Sequence, residues 1–338
     1  MHDSRGDVSL VTLKNGDVLA AGGWTNHCNT YTELYDPATG QWSETGQLGW
    51  VRTGANTALL LPDGRVFLYA GGRAEIYDPA TGTWSDDGLV DPAYSNDQSV
   101  ALLSGGDVLI AGGRYYTSSG TYITSSVNIW DPIRRTLAPA APLHHAREGA
   151  SATILPDGDV LVAGGEAPNA NPFTTTELLS STEIYNPASN AWTDGPSMSV
   201  VRGHPTGTLL QQSNEVVLAG GSSGVTDVFN ATTHTMRRVA DLSQPWSGFA
   251  ATALADGRLM AMGGDGPGAF ASTQIFDPHT DQWSMGPSMS IPRCAEGATL
   301  LLDGQVLVAG GYNYDYTTYP GQYPTYGPIS TSEVISPS

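Results

Sequence analysis

The sequence predicts an all-β fold, a seven-bladed β-propeller whose last blade lacks its outer strand. Three observations carry this. An apolar stretch ending in a glycine pair recurs seven times; a D-G turn usually precedes it; and an aromatic followed by D-P or N-P, then tryptophan, usually follows. Self-similarity at a period of 20–50 residues marks a repeat architecture.

The glycine-pair stretches read VLAAGG (18–23), VFLYAGG (66–72), VLIAGG (108–113), VLVAGG (160–165), VVLAGG (216–221), LMAMGG (259–264) and VLVAGG (306–311). Their second glycines are spaced by 49, 41, 52, 56, 43 and 47 residues, as one unit with loops of variable length requires. Each unit reads as four short strands, A to D from the inside outward. A precedes the D-G turn, and B ends at the glycine pair. C ends at the aromatic-D-P, as in YDPATGQW (35–42), and D starts at the tryptophan. Strand B is apolar at nearly every position, which suits a strand sandwiched between neighbouring blades. The final unit stops at SEVISPS (332–338), its strand C, so blade seven is expected to have three strands and to close by face packing. The whole of 1–338 is expected to form one propeller domain, monomeric, with the bare edge of blade seven as the place for any association.

Composition narrows the partners. The net charge is −19, and Lys14 is the only lysine. This balance argues against nucleic acid, whose affinity comes from clustered Lys and Arg. No apolar run approaches the roughly 20 residues a spanning helix needs. The N-terminus shows no basic segment followed by an apolar one. Polarity carried by Ser, Thr, Asn and Gly rather than charge suits an extracellular setting.

Chain direction puts the B–C and D–A segments on one rim. The B–C loops vary most in length, and long variable loops on a rigid scaffold are where binding usually resides. Candidate binding residues on that rim are Trp24, His27, Arg52, Tyr115, Tyr116, His144, His145, Arg147, Arg202, Arg293, Tyr312 and Tyr314. Arg5, Arg52, Arg147, Arg202 and Arg293 each open a strand A, beside carboxylates such as Asp7, Glu148 and Glu296. They either stitch neighbouring blades together or form a ring that captures anions. The 312–328 loop holds six tyrosines, whose rigid apolar faces and polar tips suit sugar or peptide contact, or a lid packed on itself. Cys28 and Cys294 are read either as two separate thiols or as a disulfide across the seam between blades one and seven. For a metal, only the adjacent His144-His145 has ligand spacing. No metal site and no cofactor are expected.

The glycine pair, the aromatic and the tryptophan at this spacing resemble the kelch repeat family, over the whole chain. That resemblance implies a binding module for a glycan, peptide or protein. An enzymatic alternative comes from two similar groups. Galactose oxidase and related copper radical oxidases use a Tyr-His dipeptide that this sequence lacks. Kelch-type sialic-acid epimerases use arginines and carboxylates at the channel mouth, a resemblance that makes Glu148, His204 and Glu296 the catalytic candidates. Whether the chain is an enzyme is left open at this point.

Overall fold

The computed structural model describes residues 1–25, 30–50, 57–90, 96–118, 120–168, 176–221, 223–243, 247–265, 269–315 and 325–337. The described residues contain strands and turns and no helix. Six four-stranded sheets and one three-stranded sheet form seven blades, so the chain is an all-β seven-bladed β-propeller.

The chain divides into two compact units, Met1–Ala70 with Ala74–Asp87 and Trp246–Ser338, and Gly71–Arg73 with Gly88–Pro245. The first holds blade one (Ser9–Thr12, Val18–Ala21, Tyr31–Asp36, Gln41–Gln47) and nearly all of blade two (Thr57–Leu60, Val66–Ala70, Arg73–Asp78, Thr83–Val90). It also holds blade six (Ser247–Ala253, Leu259–Asp265, Thr273–Asp277, Gln282–Met285) and blade seven (Gly297–Leu300, Val306–Ala309, Ser332–Ile335). The second holds blade three (Ser99–Leu102, Val108–Ala111, Val127–Asp131, Thr136–Pro139) and blade four (Ser151–Ile154, Val160–Ala163, Thr182–Asn186, Ala191–Asp194). Blade five (Thr206–Leu210, Glu215–Ala219, Asp227–Asn230, Thr235–Arg238) completes it.

Every blade is antiparallel in the order A-B-C-D, except blade seven, which ends at C. Burial falls from B outward. Strand B is buried at every position in six blades and at all but Asp265 in blade six, whereas strand D is mostly half-buried or exposed. The A–B turns are three-residue loops except in blade five, where residues 211–214 intervene. In blade one Leu13 N–H bonds Asp17 O, Gly16 N–H bonds Leu13 O, and Gly16 sits at φ 97°. Only the glycine of each D-G pair is left-handed, so the turn is a type I turn closed by a glycine bulge.

The core lies between successive blades rather than within one. In the first unit, Val18 and Tyr35 of blade one pack with Leu301 and Leu307 of blade seven. In the second, Leu109 and Ala111 of blade three pack with Val160, Val162 and Trp192 of blade four. The tryptophans seal these seams. Each stacks on its own blade's aromatic, Trp192 on Tyr185 at 5.0 Å and Trp42 on Tyr35 at 5.2 Å. Each also donates its indole N–H backward, Trp192 to Ala141 O and Trp42 to Ser332 Oγ. Blades seven and one meet as expected, by face packing: Thr12 Oγ1 donates to Leu300 O at 2.8 Å and the Met1 amine to Ser330 O at 3.0 Å.

The B–C loops hold structure the sequence did not announce. In blades three, four and seven they rise as two-stranded hairpins, Arg114–Thr117 with Gly120–Ile123, Glu166–Pro168 with Thr176–Leu178, and Tyr312–Asp315 with Thr325–Pro328.

Candidate binding surface

The arginines that open strand A define how the loop end of each blade is built. In blade four, Arg147 donates from Nη1 to Gly164 O at 2.9 Å and from Nη2 to Glu183 Oε1 at 2.7 Å. Arg202 does the same in blade five with Gly220 O and Asp227 Oδ2, at 2.9 and 2.8 Å. In the first unit, Arg293 reaches Gly310 O and Glu333 Oε1, and Arg5 reaches Gly22 O and Glu33 Oε2. The acceptor carboxylate also takes the backbone N–H three residues before the arginine: His2 to Glu33, His144 to Glu183, Ser199 to Asp227 and Ser290 to Glu333. Arg147, Arg202 and Glu183 have no exposed side-chain surface. Burial pulls the Arg147 guanidinium below its ordinary range, and Glu183 opposes this.

These side chains therefore stitch a blade to itself. The link to the preceding blade comes from the arginine's carbonyl: Gly113 N–H bonds Arg147 O, Gly165 bonds Arg202 O, Gly264 bonds Arg293 O, and Gly311 bonds Arg5 O. This explains the glycine pair. Its residues are left-handed, and a Cβ on Gly112 would lie 2.2 Å from Arg147 O, one on Gly310 2.5 Å from Arg5 O. No side chain fits where backbone closes on backbone.

With the arginines inside, the position directly after the glycine pair faces the loop end, and it varies widely among the blades. It holds Trp24, Arg114, Glu166, Asp265 and Tyr312. Short backbone bridges to the segment entering the same blade fix four of them, as Gly6 with Trp24, Asn96 with Arg114, Glu148 with Glu166, and Cys294 with Tyr312.

In the first unit this brings together Trp24, Tyr312 and Asp7. The two rings lie 6.1 Å apart, and Trp24 is 38% exposed. Tyr312 donates its hydroxyl to Asp7 Oδ2 at 3.2 Å, over a face left open by Gly6, whose Cβ would strike the ring. Burial raises the Asp7 carboxyl and the Tyr312 phenol alike, and Asp7 raises the phenol further. Cys294 is a buried thiol with Sγ 3.7 Å from Tyr312 O, while Cys28 lies outside the described residues. Glu296 is buried beside Gly263, with Oε1 3.4 Å from Ala250 N and Oε2 lacking a hydrogen-bond partner. Burial pushes its carboxyl up to about 8.

In the second unit the grouping is polar. Glu148, buried, accepts a bidentate pair of hydrogen bonds from Arg114, which raises the guanidinium's pKa. Glu166 accepts from Thr176 at 2.6 Å and lies 3.9 Å from the exposed His204 Nε2. Tyr115 stacks on Tyr122 at 5.5 Å across the blade-three hairpin, and Tyr116 is 59% exposed.

Of the sequence candidates, His27 and Arg52 lie outside the described residues, and Tyr314 is placed only as a strand residue. Trp24 and Tyr312 are brought together; Tyr115 and Tyr116 share a hairpin strand. His144 and His145 gather at Glu183, and Arg147, Arg202 and Arg293 are internal. Arg114, Glu166 and Asp265 were missed as candidates. The signal was available, since each directly follows a glycine pair.

Repeated sheets, paired arginines and a variable loop end define a β-propeller repeat protein. The Kelch motif family matches at residues 151–199 and 247–290, within blades four and six. Kelch-like protein 25 of Xenopus tropicalis is 27% identical over 214 residues, covering 61% of this chain and 35% of that protein. Kelch-like protein terF of Aspergillus terreus is 24% identical over 310 residues, covering 88% of this chain and 57% of that protein. The chain thus spans between a third and somewhat over half of these relatives' lengths. A fungal alcohol oxidase of the AA5 family, solved in complex with copper, superimposes with a TM-score of 0.75 over 99% of this chain and 74% of that chain. At 16% identity that likeness shows the fold. The chain thus carries Kelch motifs, and the curated relatives it resembles are kelch-like proteins.

Proposed function

We propose that this chain is an interaction module that takes a glycan, peptide or protein ligand at the loop end of its blades. The observation that carries the reading is the Trp24–Tyr312 pair, an exposed indole beside a phenol oriented by Asp7. An aromatic face with a polar tip held in place matches the demands of a sugar ring or a peptide side chain. Rigidity favours the same reading: Tyr312 is fixed by a backbone bridge, a hydrogen bond and the Gly6 surface, so little ordering entropy opposes binding. Acidity and the scarcity of free cations direct the module away from nucleic acid.

Arraying glycans and peptides against the chain and its Trp24→Ala variant tests this. Binders should appear and weaken at least about tenfold in the variant, as loss of a central aromatic anchor predicts. An array without binders, or binders indifferent to Trp24, overturns it.

A second reading, a carbohydrate-active enzyme, draws on Glu296, whose pKa near 8 lies in the range of a general acid. Its Oε2 is fully enclosed. The copper oxidase version lacks its Tyr-His dipeptide, and Tyr312's hydroxyl is held by Asp7. The binding reading therefore stands first.

A further inference from the structure

We propose that His144, Glu183 and Asp194 form a binding site for a divalent transition-metal ion of zinc's class. Their ligand atoms lie within 4.8 Å of one another, the one such group of His, Cys, Asp and Glu among the described residues. Two strands and one loop create it. Glu183 and Asp194 are direct cross-strand partners in strands C and D of blade four, so both carboxylates stand on one face of the sheet. His144, from the segment entering the blade, lies over them with Nδ1 2.7 Å from Asp194 Oδ1.

Like charges directly opposed across two strands repel, and Arg147 offsets this from the buried side through Glu183, while Asp194 on the open side meets His144. Blade five has opposite charges at the same register position, Asp227 opposite Arg238. Blades one and four instead oppose two carboxylates, Glu33 with Glu44 and Glu183 with Asp194. In those two blades the residue three before the arginine is histidine, His2 and His144, where blades five and seven have Ser199 and Ser290.

The site is also built in advance. Glu183 has no exposed surface and is held by Arg147 Nη2 and His145 N on Oε1 and by His144 N on Oε2. Oε2 keeps a second lone pair. His144 and Asp194 are 45% and 70% exposed, which leaves an entry path. One imidazole and two carboxylates suit a borderline ion such as zinc better than calcium, which takes oxygen ligands alone. The metal would replace the His144–Asp194 hydrogen bond and needs a neutral imidazole and ionised carboxylates, so affinity falls as pH drops. His145, 59% exposed with Nδ1 3.6 Å from Glu183 Oε1, is the nearest further donor.

Zinc chloride titrated calorimetrically into the whole chain tests this, with visible absorption of the cobalt(II) form as a second readout. One ion should bind per chain. His144→Ala and Asp194→Asn should each weaken binding beyond the roughly 10–100-fold typical of losing an outer-shell partner. Both remove exposed groups and keep the His144 backbone N–H on Glu183, so their metal-free melting temperatures should stay put. His2→Ala should bind like the parent. No heat at millimolar zinc, full affinity in both blade-four variants, or an equal loss in His2→Ala overturns the assignment.

Discussion

Blades four and six share one backbone plan and differ in what they bury at the same point of strand C. Blade four has Glu183 there, gripped by Arg147. Blade six has Gln274, 2% exposed, and no arginine anywhere in 241–250, the segment that enters it. Blade three repeats the second case, with Asn128 in register and no arginine in 91–98. Acid and arginine come and go together. A charge is tolerated inside these sheets only with its partner, because removing either leaves an ion stripped of water. The arginine pattern is thus a rule about burial before it is a rule about ligands.

Breaking the pair gives the largest effect. Arg202→Ala leaves Asp227 buried and uncompensated, and should lower stability by about 3–5 kcal/mol in urea unfolding. A loss under about 1 kcal/mol would mean that the pair contributes little and that the backbone link between blades holds the site alone.

Glu296 is the natural exception, a buried acid without a cation within hydrogen-bonding reach, and its consequence is a pH slope. Its pKa rises from 4.5 to about 8 on folding. Between those values the unfolded chain has released the proton and the folded chain retains it, so stability falls as pH rises. Glu296→Gln should remove a decline of the order of a few kcal/mol between pH 5 and pH 8, seen as a flatter melting-temperature profile. An unchanged profile would show that the carboxyl is ionised in the fold.

Gln274→Glu makes blade six resemble blade four without its arginine. It should cost roughly 1–3 kcal/mol at pH 8 and less at pH 4, where the new carboxyl is protonated in both states. Equal cost at both pH values would point to shape rather than charge. The smallest stability effect belongs to the loop end: Trp24→Ala should stay within about 0.5 kcal/mol of the parent by thermal unfolding. A larger loss would make Trp24 part of the frame and weaken its case as a ligand platform.

Much of the fold was legible in the sequence because its repeated marks have local causes. The glycine pair, the D-G turn, the tryptophan and the three-stranded last blade could be read from residue type and spacing. The site was less legible, for one reason. Arg147, Arg202 and Arg293 sit at the mouth of the blade along the chain, yet their side chains turn inward to Glu183, Asp227 and Glu333. Direction decides their role, and spacing carries no direction. Arg114 and Glu166 were legible by position, directly after a glycine pair, but their partners Glu148 and Thr176 became evident only in the fold.

The sequence by itself determined seven repeats, their strand order and their turn chemistry, because continuously apolar strands and left-handed glycines act within a few residues. The tertiary structure alone decided three things. The arginines became internal clamps, the B–C loops of three blades became hairpins, and His144 was set over the paired carboxylates of blade four. The clamps and the placement of His144 join residues 25 to 50 positions apart, a distance that leaves no trace in local composition; the hairpins are local pairings within loops.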